Sequence, residues 1–91
     1  MRLQLTPGTT LTIVEGKSVL FSVKSGESFG LNETAADMLK FSREEGLEAA
    51  ASRLAHDYDA PIEEIRSDLD ALVEELVRLK FAQLAPATQG S

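Results

Sequence analysis

The hydrophobic pattern of the chain changes its period at Asn32. In residues 19–23, Val19, Phe21 and Val23 alternate with Leu20 and Ser22, and this period of two is typical of a β-strand. From Ala35 onward the apolar residues recur at the 3.6-residue spacing of a helix. The side chain of Asn32 can accept a hydrogen bond from the first helical turn, and Glu33 places negative charge at the positive end of the helix dipole. The sequence therefore predicts strands before Asn32 and helices after it.

Three short strands are predicted in the first third of the chain, at 10–14, 18–23 and Glu27–Leu31. The segments between them, Glu15–Lys17 and Lys24–Gly26, each contain a glycine and are typical of hairpin turns. This pattern predicts an antiparallel meander whose third strand is short and lies near a sheet edge. One face of the sheet must be covered, because three strands alone bury too little apolar surface.

Three helices are predicted in the remainder, at about 33–43, 47–58 and 61–80. In the third helix the apolar positions span an arc of roughly 160°, whereas a helix that closes one small core needs about 100°. The edge of this arc carries Val73 and Val77, with Arg66 and Asp70 beside them. Two interpretations stay open: this edge forms a second surface, or it is further core.

The element order predicts an α+β fold, in which a three-stranded antiparallel sheet precedes three helices. We expect one domain over residues 1–84, with no linker or repeat inside it, and a disordered tail over 85–91. Residues 81–84 are expected either to form a short final strand or to cap the core. A domain of this size has little room for a buried active site with a substrate cavity.

Fifteen acidic and nine basic residues give a net charge of −6, and the excess of acid lies in the helical part of the chain. Such a surface repels phosphate backbones, which argues against nucleic acid as a partner. The sequence has no cysteine, which excludes thiol catalysis and thiolate metal sites, and it has no long apolar run. We therefore expect a soluble, cytoplasmic protein that does not bind a membrane.

Candidate catalytic groups are scarce. The single histidine, His56, is expected near the end of the second helix, where a partly exposed imidazole suits the helix dipole. We expect no enzyme activity, cofactor or metal site. The Ser67–Leu72 segment on an acidic helix is similar to an acyl carrier protein, but Ser67 is separated from Leu69 and lies inside the helix, and carriers lack the strands predicted here.

Three segments together resemble the PqqD-like family, the RiPP recognition elements. They are Leu31–Ala35, Leu54–Tyr58 and Ile65–Leu72, followed by Leu76 and Phe81. The similarity covers about residues 5–84, and its most characteristic parts are the Leu-Asn-x-Thr-Ala turn and the Asp-Leu-x-x-Leu motif of the third helix. A departure is the long 41–46 passage, where relatives often have a short turn.

The resemblance implies a winged-helix-like domain that binds the leader segment of a ribosomally made precursor peptide. It also implies that the domain is not a catalyst and that it presents the leader to a modifying enzyme or leader peptidase. In the family the leader adds as a strand to the third strand and lies beside the third helix. Mapped onto this chain, the expected peptide-binding residues are Glu27, Ser28, Phe29, Gly30, Leu31, Arg66, Asp70, Val73, Glu74 and Val77.

The sequence leaves several alternatives open. Phe29 is expected either in the core or in the wall of a side-chain pocket, and the edge of the third helix that lines the groove is open. Self-association through the unpaired strand edge is also open. The other function classes are a DNA-binding winged helix, which the acidic third helix disfavours, and an acidic subunit or regulator of a larger enzyme.

Overall fold

Five strands and three helices follow one another in the computed structural model, which describes residues 1–85. In chain order they are β1 (Arg2–Leu5), β2 (Thr9–Val14), β3 (Lys17–Ser22), β4 (Ser28–Leu31), α1 (Glu33–Glu44), α2 (Leu47–Asp57), α3 (Ile62–Arg78) and β5 (Ala82–Ala85). The predicted α+β fold, with a three-stranded antiparallel sheet before three helices, is confirmed. Ala85, assigned to the tail by the sequence, ends β5; the rest of the predicted tail, 86–91, lies outside the described residues.

The main sheet has the strand order β2-β3-β4, and both of its pairings are antiparallel. Leu20 of β3 stands opposite Leu11 of β2 and Phe29 of β4, so these three side chains share the face that is turned toward the helices. Leu20 is fully buried, whereas Leu11 is 39 % exposed. The β2–β3 hairpin therefore extends past the core as a wing, and its far end is not covered by the helices.

A second, two-stranded sheet pairs β1 with β5, in the register Arg2↔Ala85 to Leu5↔Ala82. The final strand was one of the two expectations for residues 81–84, but its partner β1 was not predicted. Because β1 is only four residues long and its partner is almost the whole chain away, the pattern around it carries too little information to reveal the pairing. The pair joins both ends of the described chain, and Leu3 and Ala82 bury their side chains beneath it.

α1 and α2 begin where the sequence predicts, and α3 begins one residue later. The Asn32 Oδ1 atom accepts a hydrogen bond of 2.7 Å from the Ala35 N–H, which confirms Asn32 as the cap of α1. Gly46 precedes α2 with a φ of 94°, a left-handed conformation that a glycine adopts without steric cost. Pro61 lies one position outside α3 and is its N-cap, and its carbonyl accepts hydrogen bonds from Glu64 and Ile65.

One hydrophobic core fills the space between the sheets and the helices. Its completely buried members come from every layer and include Leu20 of β3, Leu39 of α1, Leu54 of α2 and Leu76 of α3. Val73 is also in this core, with 7 % of its surface exposed, whereas Val77 one turn later is 39 % exposed. Of the two interpretations of this edge, Val73 therefore fits further core and Val77 fits a second surface. None of the helices in residues 1–85 has the length and apolar character that crossing a membrane requires.

Candidate functional site

The outer edge of β4 has no neighbouring strand among the described residues. The Ser22 N–H donates to the Glu27 carbonyl at 2.9 Å, and the register of the two strands then fixes the direction of the other groups. In an antiparallel pair the hydrogen-bonded positions alternate, so Phe29 and Leu31 direct their main-chain groups toward β3. Ser28 and Gly30 direct theirs outward. These two residues therefore offer two N–H donors and two carbonyl acceptors to an added strand.

The side chains of β4 also alternate between two environments. Phe29 is half-buried, and its ring packs against Phe81 with a centroid distance of 5.9 Å. Leu31 is buried in the core. Ser28 and Gly30 are exposed on the opposite face of the sheet, and a Cβ atom at Gly30 would meet no atom within 4 Å. The backbone at Gly30 is thus open to close approach by another chain.

A cavity of about 510 Å³ lies at the Glu27 end of β4. It brings Glu27 together with Val77 and Leu79 from the end of α3, and with two lysines, Lys24 and Lys80. The main chain at Lys80 is held in place because its carbonyl accepts a 2.7 Å hydrogen bond from the Thr6 hydroxyl. The structure therefore joins two of the predicted binding residues, Glu27 and Val77, in one concave surface.

A second cavity, of about 660 Å³, lies at the other end of the same strand. Gly30 and Leu31 line it, and Glu33 and Asp37 of α1 face them together with Lys17 from the β2–β3 turn. The two cavities therefore lie near opposite ends of β4, and both also include residues of β3.

The remaining predicted residues lie on α3 and differ in burial and in pairing. The Arg66 guanidinium donates a 3.0 Å hydrogen bond to Glu48 of α2, so this arginine is already paired within the domain. Asp70 and Glu74 are exposed, and no ion pair holds either of them among residues 1–85. Arg78 pairs with Glu75. Two of the basic residues available to a DNA-binding helix are thus neutralised by neighbouring carboxylates.

Three residues near β4 were not among the predicted binding residues: Lys24 and Lys80 of the Glu27 cavity, and Phe81, which packs against Phe29. Lys24 was assigned only to a turn and Lys80 only to the end of the third helix. Phe81 was named as a possible cap of the core, but its contact with Phe29 joins residues 52 positions apart. No local pattern in the sequence reveals such a contact.

The described residues contain no group of three or more His, Cys, Asp or Glu side chains suited to a metal ion. The side chain of His56 is 91 % exposed in the last turn of α2, near Asp57. This position agrees with the expectation of a surface histidine that favours the helix dipole.

Tyr58 connects the end of α2 to the second cavity. Its hydroxyl donates a 2.5 Å hydrogen bond to the Oδ2 atom of Asp37. This bond raises the pKa of the Tyr58 phenol above its ordinary value of 10.0, because losing the proton destroys the bond; burial and the charge of Asp37 act in the same direction.

We expect Tyr58→Phe to lower the free energy of unfolding by about 1 kcal/mol at pH 8, the usual net value of one hydrogen bond. A group whose folded pKa is raised stabilises the fold below its unfolded pKa, and this contribution disappears as the pH rises through the folded pKa. The difference between the two proteins should therefore shrink above about pH 10. Urea titrations of both proteins at pH 8 and pH 11 measure it, and an equal difference at the two pH values would contradict the assignment.

The sequence matches a known family over most of its length. The profile of the family described as Coenzyme PQQ synthesis protein D (PqqD) matches residues 17–82, which span β3 to the start of β5. The chain belongs to the PqqD family. The predicted resemblance is thereby confirmed, and the matched region contains α3 and β4, the strand that carries the free edge.

Two solved structures share the fold of this PqqD-family chain. One is a lasso peptide synthetase B1 complexed with the leader peptide; it is 25 % identical, its TM-score is 0.79, and the alignment covers 92 % of this chain and 100 % of that one. The other is TbiB1 in complex with the TbiA(beta) leader peptide, with 17 % identity, a TM-score of 0.78, and coverage of 94 % and 99 %. No curated protein sequence matches the chain.

Proposed function

We propose that this PqqD-family chain is an adaptor that binds the leader segment of a ribosomally synthesised precursor peptide. The leader adds as a strand to the outer edge of β4. The observation that carries this proposal is the unpaired edge of Ser28–Leu31, which has a cavity at each end. Membership in the PqqD family supports it, and so does the likeness to two proteins that were solved with leader peptides.

Strand addition explains how such a site holds a peptide. The four outward main-chain groups of Ser28 and Gly30 can form hydrogen bonds with any extended chain. At about 0.5–1.5 kcal/mol net for each bond, they supply roughly 2–6 kcal/mol, whereas micromolar affinity requires about 8 kcal/mol. The remaining free energy must come from side chains in the groove. Selectivity therefore resides in the side-chain contacts with Phe29, Val77 and the two cavities.

In this proposal, only some of the predicted α3 residues can contact the peptide directly. Val77 and the exposed acids Asp70 and Glu74 are available to a peptide that lies beside α3. Arg66 must first exchange its partner Glu48, and Val73 acts chiefly from within the core, where it supports the wall that Val77 presents. Glu27 contributes through the cavity that it shares with Val77.

In this function the chain transforms nothing itself and presents the leader to a modifying enzyme or leader peptidase in the cytoplasm, where ribosomes make the precursor. The wing offers a surface for that enzyme, since Ile13 and Val14 near its tip and Val23 near its base are at least half exposed. This surface includes β2, the opposite edge of the sheet from β4. An enzyme bound there leaves the leader edge accessible.

Without a leader, the free edge of β4 is also suited to pairing with its counterpart in a second molecule. A homodimer of this kind and the leader compete for the same main-chain groups. The leader should therefore convert dimer to monomer, and sedimentation velocity with and without peptide measures this change. A dimer that persists at saturating leader would place the contact elsewhere.

Titration of the purified domain with the leader of the precursor that is encoded beside its gene tests the main proposal. We expect a dissociation constant of about 1–10 μM or tighter by calorimetry, with amide chemical-shift changes centred on Ser28–Leu31. A scrambled leader of equal composition is the control. No binding at 100 μM would refute the adaptor function, and tight association with the enzyme without any leader binding would favour the regulatory-subunit alternative.

A further inference from the structure

A groove of about 890 Å³ lies between β1, α1 and the face of the wing that is turned toward the helices. All four residues of β1 line it, together with α1 side chains between Ala36 and Glu44 and with Leu11 and Ser18 of the wing. We call this space the β1 groove. It adjoins the cavity near Leu31, since both include Ser18 and Ala36, but among residues 1–85 none that lines it belongs to β4 or α3.

Three cationic side chains line the β1 groove, namely Arg2, Lys40 and Arg43. None of them forms an ion pair within residues 1–85, whereas the other three arginines of the chain each contact a carboxylate. Two acids, Asp37 and Glu44, lie in the same groove, and Asp37 already accepts a hydrogen bond within the domain. The groove therefore carries a charge of +1 on the surface of a chain whose net charge is −6.

Arg2 has a buried donor that the domain does not use. Its Nε atom is shielded from solvent and has no hydrogen-bond partner among the described residues. The Leu47 N–H donates a 2.7 Å hydrogen bond to the Met1 carbonyl, so the start of β1 is fixed beside the end of α1, where Arg43 lies. A carboxylate satisfies the Nε atom and one terminal nitrogen of an arginine through two parallel hydrogen bonds. This end of the groove is therefore suited to an acidic side chain.

The shape of the β1 groove fits an extended peptide segment. The part of α1 from Ala36 to Glu44 runs for about 12 Å along it, and β1 is about 13 Å long. A single phosphate or acetate ion fills only a small part of such a space. The groove also has an apolar part, because Leu11 is 39 % exposed although it stands opposite the buried Leu20 on the same face of the sheet. An occupant with both acidic and apolar side chains matches these walls.

We propose that the β1 groove binds an extended acidic segment of a partner protein, with its carboxylates on Arg2, Lys40 and Arg43 and an apolar side chain on Leu11. The inference is separate from the proposed leader function, because the groove contains no residue of β4. A second copy of this chain is a poorer occupant. Its excess of acid lies on helices, and contact between a helix of one copy and the groove of the next is head-to-tail, which continues into an open filament unless the rotation closes.

Selection from a display library of random 12-residue peptides on the immobilised domain tests this inference, after removal of peptides that bind the Lys40→Glu variant. Enriched sequences should carry at least two aspartates or glutamates within about four residues and an apolar residue beside them. The best sequence is then made as a synthetic peptide. We expect a dissociation constant of about 10–100 μM at 50 mM salt, and one about fivefold higher at 500 mM, because salt screens exposed charges. Enriched sequences without acidic residues would overturn the proposal.

The affinity of this synthetic peptide for single variants locates its site. Lys40→Glu replaces an attractive charge by a repulsive one and should weaken binding about tenfold. Lys24→Glu is the matched control, since Lys24 is likewise exposed and without an ion pair in residues 1–85 but lies outside the groove; its affinity should stay within about twofold of the parent protein. Arg2→Lys keeps the charge but removes the Nε donor, so it should weaken binding about threefold. Circular dichroism verifies that each variant is folded. Unchanged affinity in both Lys40→Glu and Arg2→Lys would overturn the proposal.

A competition experiment separates the β1 groove from the β4 edge. The leader should bind with the same affinity to the domain alone and to the domain saturated with the acidic peptide, and Ser28→Pro should bind the acidic peptide like the parent protein. Displacement of the acidic peptide by the leader would make the groove part of the leader site and would overturn the inference. Self-association of the parent domain that Lys40→Glu abolishes would place a second copy in the groove, with the same consequence. If the domain binds no leader, the adaptor function fails, and the acidic peptide still tests the groove.

Discussion

Ser28→Pro is expected to weaken leader binding by roughly five- to 150-fold and to leave the fold intact. The Ser28 N–H points away from β3 and has no role in the internal ladder, so proline removes a group that only an added strand uses. The peptide carbonyl that would face this N–H is left without a donor, which costs about 1–3 kcal/mol. This cost corresponds to a loss of affinity of roughly five- to 150-fold.

Two neighbouring substitutions complete this experiment. Ser28→Ala retains the N–H and changes only an exposed side chain, so its affinity for the leader should stay close to that of the parent protein. Phe29→Pro removes a donor that β4 uses toward β3 and also truncates a core contact, so it should destabilise the domain strongly. Calorimetry with the leader and urea unfolding measure the two effects. Unchanged affinity in folded Ser28→Pro would show that the leader does not pair with β4.

The local patterns of the sequence predicted the local elements of the fold. The period change at Asn32 marks the end of β4 and the start of α1, and the Asn32 cap is present as predicted. The β1–β5 pair could not be predicted in the same way, since its stability arises from burial of Leu3 and Ala82 between distant parts of the chain. Pairing across such a distance depends on tertiary packing and leaves only a weak local pattern.

The candidate site likewise has one part that the sequence predicts and one part that it does not. Its strand half, Ser28–Leu31, was predictable because the edge position follows from the order of three sequential strands. The part on α3 was not predictable. A helical wheel gives the direction in which each side chain leaves the helix, but it does not show which neighbouring element packs against that side chain. Arg66 lies near the valine edge on the wheel but contacts α2 through Glu48. The lysines of the Glu27 cavity come from separate turns, and only the folded chain brings them together.

The same substitution made at Val73 and at Val77 should distinguish an effect on folding from an effect on leader binding. The two residues are identical in type and lie one turn apart on α3, but Val73 is 7 % exposed and belongs to the core, whereas Val77 is 39 % exposed and lines the Glu27 cavity. Glutamate at either position adds the same charge to the same helix. Any difference between the two variants therefore reports their surroundings.

Val73→Glu is expected to unfold much of the population, because an ionised carboxylate in an apolar core costs several kcal/mol and a domain of this size has only about 5–10 kcal/mol in total. Val77→Glu can keep its carboxylate in water, so its free energy of unfolding should fall by less than about 1 kcal/mol. Leader affinity should nevertheless drop more than tenfold in Val77→Glu, since the charge replaces an apolar contact in the groove. Val77→Leu, which retains an apolar side chain, should bind the leader within about threefold of the parent protein.

Circular dichroism, urea unfolding and calorimetry on the same samples distinguish the two glutamate variants. Equal loss of structure in both would place Val77 in the core, and full leader affinity in folded Val77→Glu would remove α3 from the groove.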